Sequence, residues 1–213
     1  MDKKNKFLFL GAAGILLLVR STPLFAGSGI FESYGIFSSV NQAGTSLLNQ
    51  YYDMQATTAN PDFNSNNFGT FDLTNSGNLL QIKGGEVKTY KNGLSDVFSA
   101  TINYRVYETS IGPGSIAFTS LNLPFNSNLA AAGDQKWQSG GYSNNLLSSL
   151  SGNKNFTIEV FLTANSSDGT WYSNGGVGAP NYKATFSTVP EPSTAGLLIL
   201  SIVGAMTLRR RRA

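Results

Sequence analysis

The chain has 213 residues, of which 13% are charged, and it contains no cysteine and no histidine. This length supports one domain with appendages and a sizeable hydrophobic core. The lack of cysteine excludes disulfides, thiolate nucleophiles and Cys-ligated metal centres. The lack of histidine excludes Ser-His-Asp and Cys-His catalysis and most catalytic zinc sites.

The net charge of +3 comes from the two ends of the chain. Eight of the 15 lysines and arginines lie before residue 27 or after residue 188, and the body between them holds seven basic and ten acidic residues. Seven minus ten gives −3, so the body is mildly acidic. A nucleic-acid-binding domain would keep a basic surface after this subtraction. We therefore expect no nucleic-acid partner.

The first 26 residues have the pattern of a secretory signal peptide. Three lysines precede an apolar run over 7–19, which is too short for an ordinary transmembrane anchor. A small residue, Ala26, stands before Gly27, and this predicts cleavage of the bond between them. The alternative is a retained membrane anchor, and in both cases the body crosses a membrane.

Three elements follow one another at the end of the chain: a Pro190-Glu191-Pro192 motif, an apolar segment over 195–208, and an arginine cluster. The apolar segment predicts a C-terminal transmembrane helix, although a helix of this length spans only about 20 Å of a roughly 30 Å hydrocarbon core. Positive charge prefers the cytoplasmic side, so the body faces outward. The residues expected in the bilayer are Ala195, Leu197, Leu198, Ile199, Leu200, Ile202, Val203 and Leu208, followed by Arg209, Arg210, Arg211 and Arg212.

This arrangement resembles the PEP-CTERM sorting signal of Gram-negative bacteria that secrete exopolysaccharide, and the resemblance covers residues 189–213. It implies recognition by an exosortase, a membrane-embedded cysteine-protease-like enzyme that cleaves near the motif. On this resemblance Pro190, Glu191 and Pro192 are recognised, the apolar helix holds the substrate in the bilayer, and the arginines stop translocation. The implied partners are the exosortase, the secretion machinery and, transiently, the inner membrane. The implied destination is the cell surface or the exopolysaccharide matrix; a plain tail anchor is the alternative.

The body, residues 27–188, has the pattern of an all-β domain. Apolar and polar residues alternate over 97–107 and again over 155–163. Several short strands separated by turns predict an antiparallel β-sandwich with a jelly-roll-like layout, linked to the sorting signal near Thr188. Shorter alternating runs lie at 79–82, 86–90, 116–121 and 182–187.

Turn and core residues refine this expectation. Gly84-Gly85 and 91–93 have the chemistry of hairpin turns. Only 42–50 and 143–150 are candidates for short helices. The side chains expected in the core include Phe98, Ile102, Tyr104, Phe118, Phe156, Ile158, Val160 and Phe186.

Three glutamates are the candidates for a catalytic carboxylate pair: Glu86, Glu108 and Glu159. Glycoside hydrolysis needs two such groups facing each other across a cleft. No spacing selects an acid and a nucleophile among them, and the alternation places Glu159 on a solvent-facing row. We expect no catalytic residue, and a polysaccharide-acting hydrolase or lyase stays as the alternative.

Oxygen-bearing side chains alternate at Asp62, Asn64 and Asn66, as at the start of a calcium loop. An EF-hand would require glycine where Asn67 stands and an acid where Leu73 stands. The favoured interpretation is a solvated turn with no cofactor, and a generic calcium site is the alternative. Asp168-Gly169 is interpreted in the same way, as a hairpin turn.

Trp137, Trp171 and Tyr172 are the candidates for contact with a glycan. Exposed aromatic rings stack on the apolar faces of sugars, and the amides beside them can bind hydroxyl groups. The alternative is that the two tryptophans cover the open end of the core. The sequence thus predicts an exported protein with a non-catalytic, structural or glycan-binding sandwich, and exopolysaccharide is the candidate partner for the glycan-binding alternative.

Overall fold

The protein is described here by a computed structural model, which covers residues 27–55, 60–91, 95–129, 133–176 and 178–189. Within these ranges the chain forms β-strands, turns and bends, and no helix is long and apolar enough to cross a membrane. The all-β prediction is therefore confirmed for the body. The signal peptide, the Pro190-Glu191-Pro192 motif, the apolar segment over 195–208 and the four arginines lie outside the described residues.

Twelve strands form two six-stranded sheets that pack face to face as a β-sandwich. The strands are β1 (Gly29–Val40), β2 (Ser46–Asp53), β3 (Asn67–Asp72), β4 (Leu79–Tyr90), β5 (Val97–Glu108), β6 (Thr119–Leu123), β7 (Phe125–Asn128), β8 (Gln135–Ser139), β9 (Asn144–Asn145), β10 (Asn155–Ser166), β11 (Gly169–Tyr172) and β12 (Tyr182–Val189). In sheet 1 the order is β2-β1-β4-β8-β7, and β9 also pairs with β4. In sheet 2 the order is β3-β12-β10-β5-β6, and β11 also pairs with β10.

One strand pair departs from the expected antiparallel arrangement. β3 and β12 are parallel, whereas the other strand pairs among the described residues are antiparallel. Antiparallel direction is natural for strands joined by a tight hairpin. β3 and β12 are far apart in the chain, so no hairpin dictates their relative direction.

The core fills the space between the two sheets, as the alternation of strands β5 and β10 predicts. Six of the eight expected core residues are buried: Ile102, Tyr104, Phe156, Ile158, Val160 and Phe186. Phe98 is 64% exposed, so its prediction was wrong. A β-bulge explains the error, because Ser166 pairs with Val97 while Asn165 pairs with Ser99, and Phe98 is the extra residue that turns outward.

Phe118 is only half-buried and lies outside the main core. Its ring instead contacts that of Phe161 at a centroid distance of 4.9 Å. Phe118 belongs to the segment between β5 and β6, which also contains Gly112-Pro113-Gly114. This segment packs over part of the outer face of sheet 2.

Gly84-Gly85 does not close a hairpin, because both glycines lie inside the continuous strand β4. Lys83 is an extra residue there: Phe37 pairs with Ile82 and Ile36 pairs with Gly84. Gly84 has φ +132°, and a Cβ at this position would lie 2.1 Å from the carbonyl oxygen of Ser139. The glycines therefore serve a bulge against a neighbouring strand, which their sequence alone does not distinguish from a turn.

The other local expectations also change in the tertiary structure. The helix candidate at 42–50 contains the start of strand β2, and the candidate at 143–150 contains β9 followed by turns. Two residues of the turn predicted at 91–93, residues 92 and 93, lie outside the described residues. Strands β4 and β5 lie in opposite sheets, so they do not pair as a hairpin.

We predict that Gly84→Ala destabilises the protein by about 3 kcal/mol or more, because the new methyl group meets backbone and the φ angle suits only glycine. Chemical denaturation measures the change. Gly112→Ala is the control, since Gly112 has φ +78° but no atom lies within 4 Å of the point that its Cβ would occupy. An equal loss in both variants would show that steric contact with Ser139 does not matter.

Candidate functional site

A groove of about 440 Å³ lies beside the β10–β11 hairpin, where β1 begins and β4 ends. Aromatic rings, polar side chains and exposed glycine backbone all contribute to its walls. The lining residues are Gly29, Ile30, Gln55, Tyr90, Thr170, Trp171, Tyr172, Gly175 and Gly176. Two of the three predicted glycan-contact residues, Trp171 and Tyr172, therefore line one groove.

Hydrogen bonds hold the indole of Trp171 by its edge. Its Nε1 donates to the Oγ atoms of Ser28, at 3.0 Å, and Ser166, at 3.1 Å. The residue is nevertheless 36% exposed. The polar edge of the ring is thus satisfied inside the protein, while apolar ring surface stays accessible in the groove.

The turn of the hairpin, residues Ser167 and Asp168, continues this hydrogen-bonded network. Ser28 donates to Oδ2 of Asp168 from its backbone nitrogen at 3.1 Å and from its hydroxyl at 3.3 Å, and the Ser95 hydroxyl donates to the same oxygen. The hydrogen bonds from Ser95 and then Ser28 lower the pKa of Asp168. The predicted turn at Asp168-Gly169 is confirmed, since Ser166 pairs with Gly169.

The opposite wall of the groove comes from strands β1 and β4. Tyr90 is 36% exposed, and its ring lies so close to Gly29 that a Cβ there would be 2.5 Å from the Tyr90 hydroxyl and would displace the ring. Gln55 and Thr170 add an amide and a hydroxyl group. Exposed aromatic rings combined with neutral hydrogen-bonding groups match the mixed apolar and hydroxylated surface of a sugar.

Trp137 lies elsewhere, on the inner face of β8. It is only 7% exposed, and its ring makes an edge contact with Phe125 at 5.6 Å. It borders a second groove of about 500 Å³, together with Phe98 and Tyr142. The structure therefore does not bring the two tryptophans together, and Trp137 is mainly a core residue.

Glu159 is buried, so the prediction that it faces solvent was wrong. It does lie on the outer face of sheet 2, as the alternation indicates, but Arg105 and Asn181 enclose it. Both Nε and Nη2 of Arg105 lie 2.8 Å from Oε2 of Glu159, and Asn181 donates to Oε1 at 2.8 Å. The Arg105 guanidinium also lies 4.3 Å from the centroid of the Phe118 ring.

Charge pairing decides the protonation of Glu159. Burial alone raises its pKa, but the hydrogen bonds from Arg105 and Asn181 outweigh burial, and the net effect lowers the pKa. Glu159 is therefore ionised at neutral pH and serves as one half of an ion pair. Its carboxylate oxygens are occupied by these partners, which makes it unsuited to act as a catalytic acid.

The other two glutamates occupy separate places. Glu86 is buried on the outer face of sheet 1, where burial raises its pKa and Lys88 and Lys136 lie 3.9 and 4.0 Å away. Glu108 lies at the end of β5 in sheet 2 and pairs with Lys154 at 3.0 Å. The three candidates for a carboxylate pair therefore do not share a cleft.

The asparagine-rich loop before β3 uses its oxygens to form turns. Oδ1 of Asp62 accepts from the backbone of Asn64 at 2.8 Å, and Oδ1 of Asn64 accepts from the backbone of Lys183 at 3.0 Å. Within the described ranges, no three Asp or Glu residues are grouped so that they could hold a metal ion. The hydrogen bonds of Asp62 and Asn64 match the turn interpretation.

Sequence reasoning missed part of the groove. It did not identify Gln55 and Tyr90, which line the groove, or Ser28, which holds Trp171. Ser28 precedes β1, Gln55 follows β2, and Tyr90 is the last residue of β4. No motif marks them, because their role depends on the hairpin that lies against them. Comparison with known proteins gives no further guidance, since no family model and no curated protein matches the chain.

We predict that Arg105→Met lowers the free energy of unfolding by about 2–4 kcal/mol at pH 7, because it leaves the buried carboxylate of Glu159 without its cation. The folded-state pKa of Glu159 lies below its ordinary value of 4.5, so the ion pair stabilises the protein above that pH and is lost as the pH falls below it. The deficit of the variant should therefore shrink in acid. Denaturation from pH 7 to pH 3 measures it.

Lys154→Met is the matched control for Arg105→Met, since Lys154 pairs with the more accessible Glu108. It should change stability only slightly. A deficit of Arg105→Met that stays constant down to pH 3 would contradict the assigned role of Glu159.

Proposed function

We propose that this chain is an exported protein of the PEP-CTERM type whose β-sandwich binds a glycan of the exopolysaccharide matrix without catalysing a reaction. The observation that carries the glycan proposal is the Trp171 indole, held by its edge and open to a groove that also contains Tyr90. Sugar rings bind on such fixed aromatic surfaces because their C–H faces are apolar.

The export half of the proposal is supported by the two ends of the sequence. The N-terminal lysines and the C-terminal arginines favour the same orientation, with the body outside the cytoplasm. Pro190 and Pro192 cannot continue a helix, so they would keep the motif extended and accessible to a processing enzyme. The exosortase would then separate the body from its membrane segment.

The position of the groove supports a role in the matrix. Strand β10 pairs with Ser187 at its first residue, Asn155, and with Gly169 at its last residue, Ser166. The eleven steps between them span about 36 Å at the rise of a β-strand. The sorting signal follows Val189 at the Asn155 end, so the Trp171 groove would point away from a membrane that holds the C-terminus.

We propose binding instead of catalysis because of what lines the groove. None of its described lining residues is an Asp or Glu, and Glu86, Glu108 and Glu159 each have cationic neighbours elsewhere. The repeated passage of the chain between the two sheets also supports the jelly-roll-like layout, a form that many glycan-binding sandwiches adopt.

Trp171→Ala should weaken binding to exopolysaccharide purified from the producing cells at least tenfold, because it removes the main stacking surface of the groove. Sedimentation with the insoluble polysaccharide measures binding. Phe98→Ala is the matched control, since Phe98 is an exposed aromatic residue that does not line this groove. Equal binding by the Trp171→Ala variant and the unsubstituted protein would overturn the glycan proposal.

Processing by an exosortase should leave a mature protein that ends near Pro192. The intact mass of the protein recovered from cells with the exosortase is therefore expected to lack the apolar segment and the arginines. Deletion of the exosortase should restore a C-terminus at Ala213. Recovery of Ala213 from cells that have the enzyme would contradict the sorting proposal.

A further inference from the structure

We infer that the amino terminus created by signal-peptide cleavage stabilises the Trp171 groove. The new α-ammonium group of Gly27 pairs with the carboxylate of Asp168 and thereby holds the segment before β1 against the β10–β11 hairpin. This inference rests on the proposed export and on cleavage between Ala26 and Gly27. It gives cleavage a structural consequence in addition to release from the leader.

Gly27 lies beside Asp168 and Trp171. A Cβ built on this residue would lie 3.7 Å from Oδ2 of Asp168 and 3.8 Å from a carbon of the Trp171 ring. Standard bond lengths then place the Gly27 nitrogen within about 6 Å of that oxygen. An opposite charge at this distance favours the charged form of both groups.

Asp168 is held as a charged carboxylate. Its hydrogen bonds from Ser95 and Ser28 stabilise the carboxylate. No lysine or arginine of the described chain lies within 4 Å of it, whereas the carboxylates of Asp96, Glu108 and Glu159 have such a partner. Cleavage would supply a cation beside Asp168 from the chain itself.

Ser28 connects the Asp168 carboxylate to the groove. Ser28, the next residue, is fully buried and accepts the hydrogen bond from Trp171 Nε1. Ser28 is thus held between the Asp168 carboxylate and the indole, and its neighbour Gly29 is part of the groove wall. Fixing Gly27 to Asp168 would restrain Ser28 and therefore the orientation of Trp171.

Other titratable groups at this end of the sandwich are few among the described residues. Lys91 and Asp96 pair with each other at 3.0 Å, and the Tyr90 hydroxyl lies over Gly29. Asp168 accepts hydrogen bonds from Ser28, the residue that follows Gly27. It is therefore the group that should control the titration of the new amine.

The test uses two chains that both run to Ala213, one starting at Gly27 and one at Ala26, purified in detergent. Reductive ¹³C-methylation labels the amines, and NMR titration gives the pKa of the α-amine. In the chain starting at Gly27 we expect a pKa about half a unit above the ordinary value of roughly 8. The extra residue in the other chain moves the amine away, and its pKa should be ordinary.

Asp168→Asn should return the α-amine of the chain starting at Gly27 to its ordinary pKa, whereas Asp96→Asn, the matched control, should leave it raised. Equal α-amine pKa values in the chains that begin at Gly27 and Ala26 would overturn the pairing. This comparison substitutes no side chain, so a loss of folding cannot explain its result. Mass spectrometry of the exported protein is a separate test. A first residue other than Gly27 would overturn the inference for the natural protein. It would leave the glycan proposal intact, because that proposal is tested by polysaccharide binding of the Trp171→Ala variant.

Discussion

Close contact between the two sheets at the middle of β4 is the constraint on which the remaining structure depends. Gly85 faces inward, and a Cβ there would lie 3.1 Å from Leu162 in β10 and 3.2 Å from Ile102 in β5, both in the opposite sheet. It would also lie 2.7 Å from the backbone oxygen of Tyr34 in the neighbouring strand β1. The absence of a side chain lets the fully buried Leu162 and Ile102 fill the interior. The two faces can then bury a common core to which β4, β5 and β10 all contribute.

The groove is a consequence of how this sandwich ends. Strand β10 pairs with β12 over its first half and with β11 over its last four residues, so the hairpin at Gly169 projects beside the start of β1. The hydrogen bonds among Ser28, Asp168 and Trp171 join the two sheets at this end. A tryptophan held in this way combines a rigid orientation with an accessible surface, which is what recognition of a sugar requires.

Much of the fold followed from local patterns, and the errors have local physical causes. The alternation in β5 and β10 predicted the core residues because burial on one face of a sheet imposes a period of two. Phe98 escaped this rule at a bulge, and Gly84 served a bulge where a turn was expected. Glycine occurs both at turns and at bulges within a strand. The sequence therefore indicates that the backbone departs from regular strand geometry there, but it does not show which neighbouring strand is involved.

The sequence by itself determined the β-rich body and the charge separation between body and ends, and it identified Trp171 as a candidate for contact with a glycan. Only the tertiary structure decided that Tyr90 and Ser28 join Trp171, that Trp137 is mainly a core residue, and that Glu159 is buried in an ion pair. The reason is that a strand pattern records which face a residue occupies, whereas the neighbours on that face come from strands that are distant in the chain.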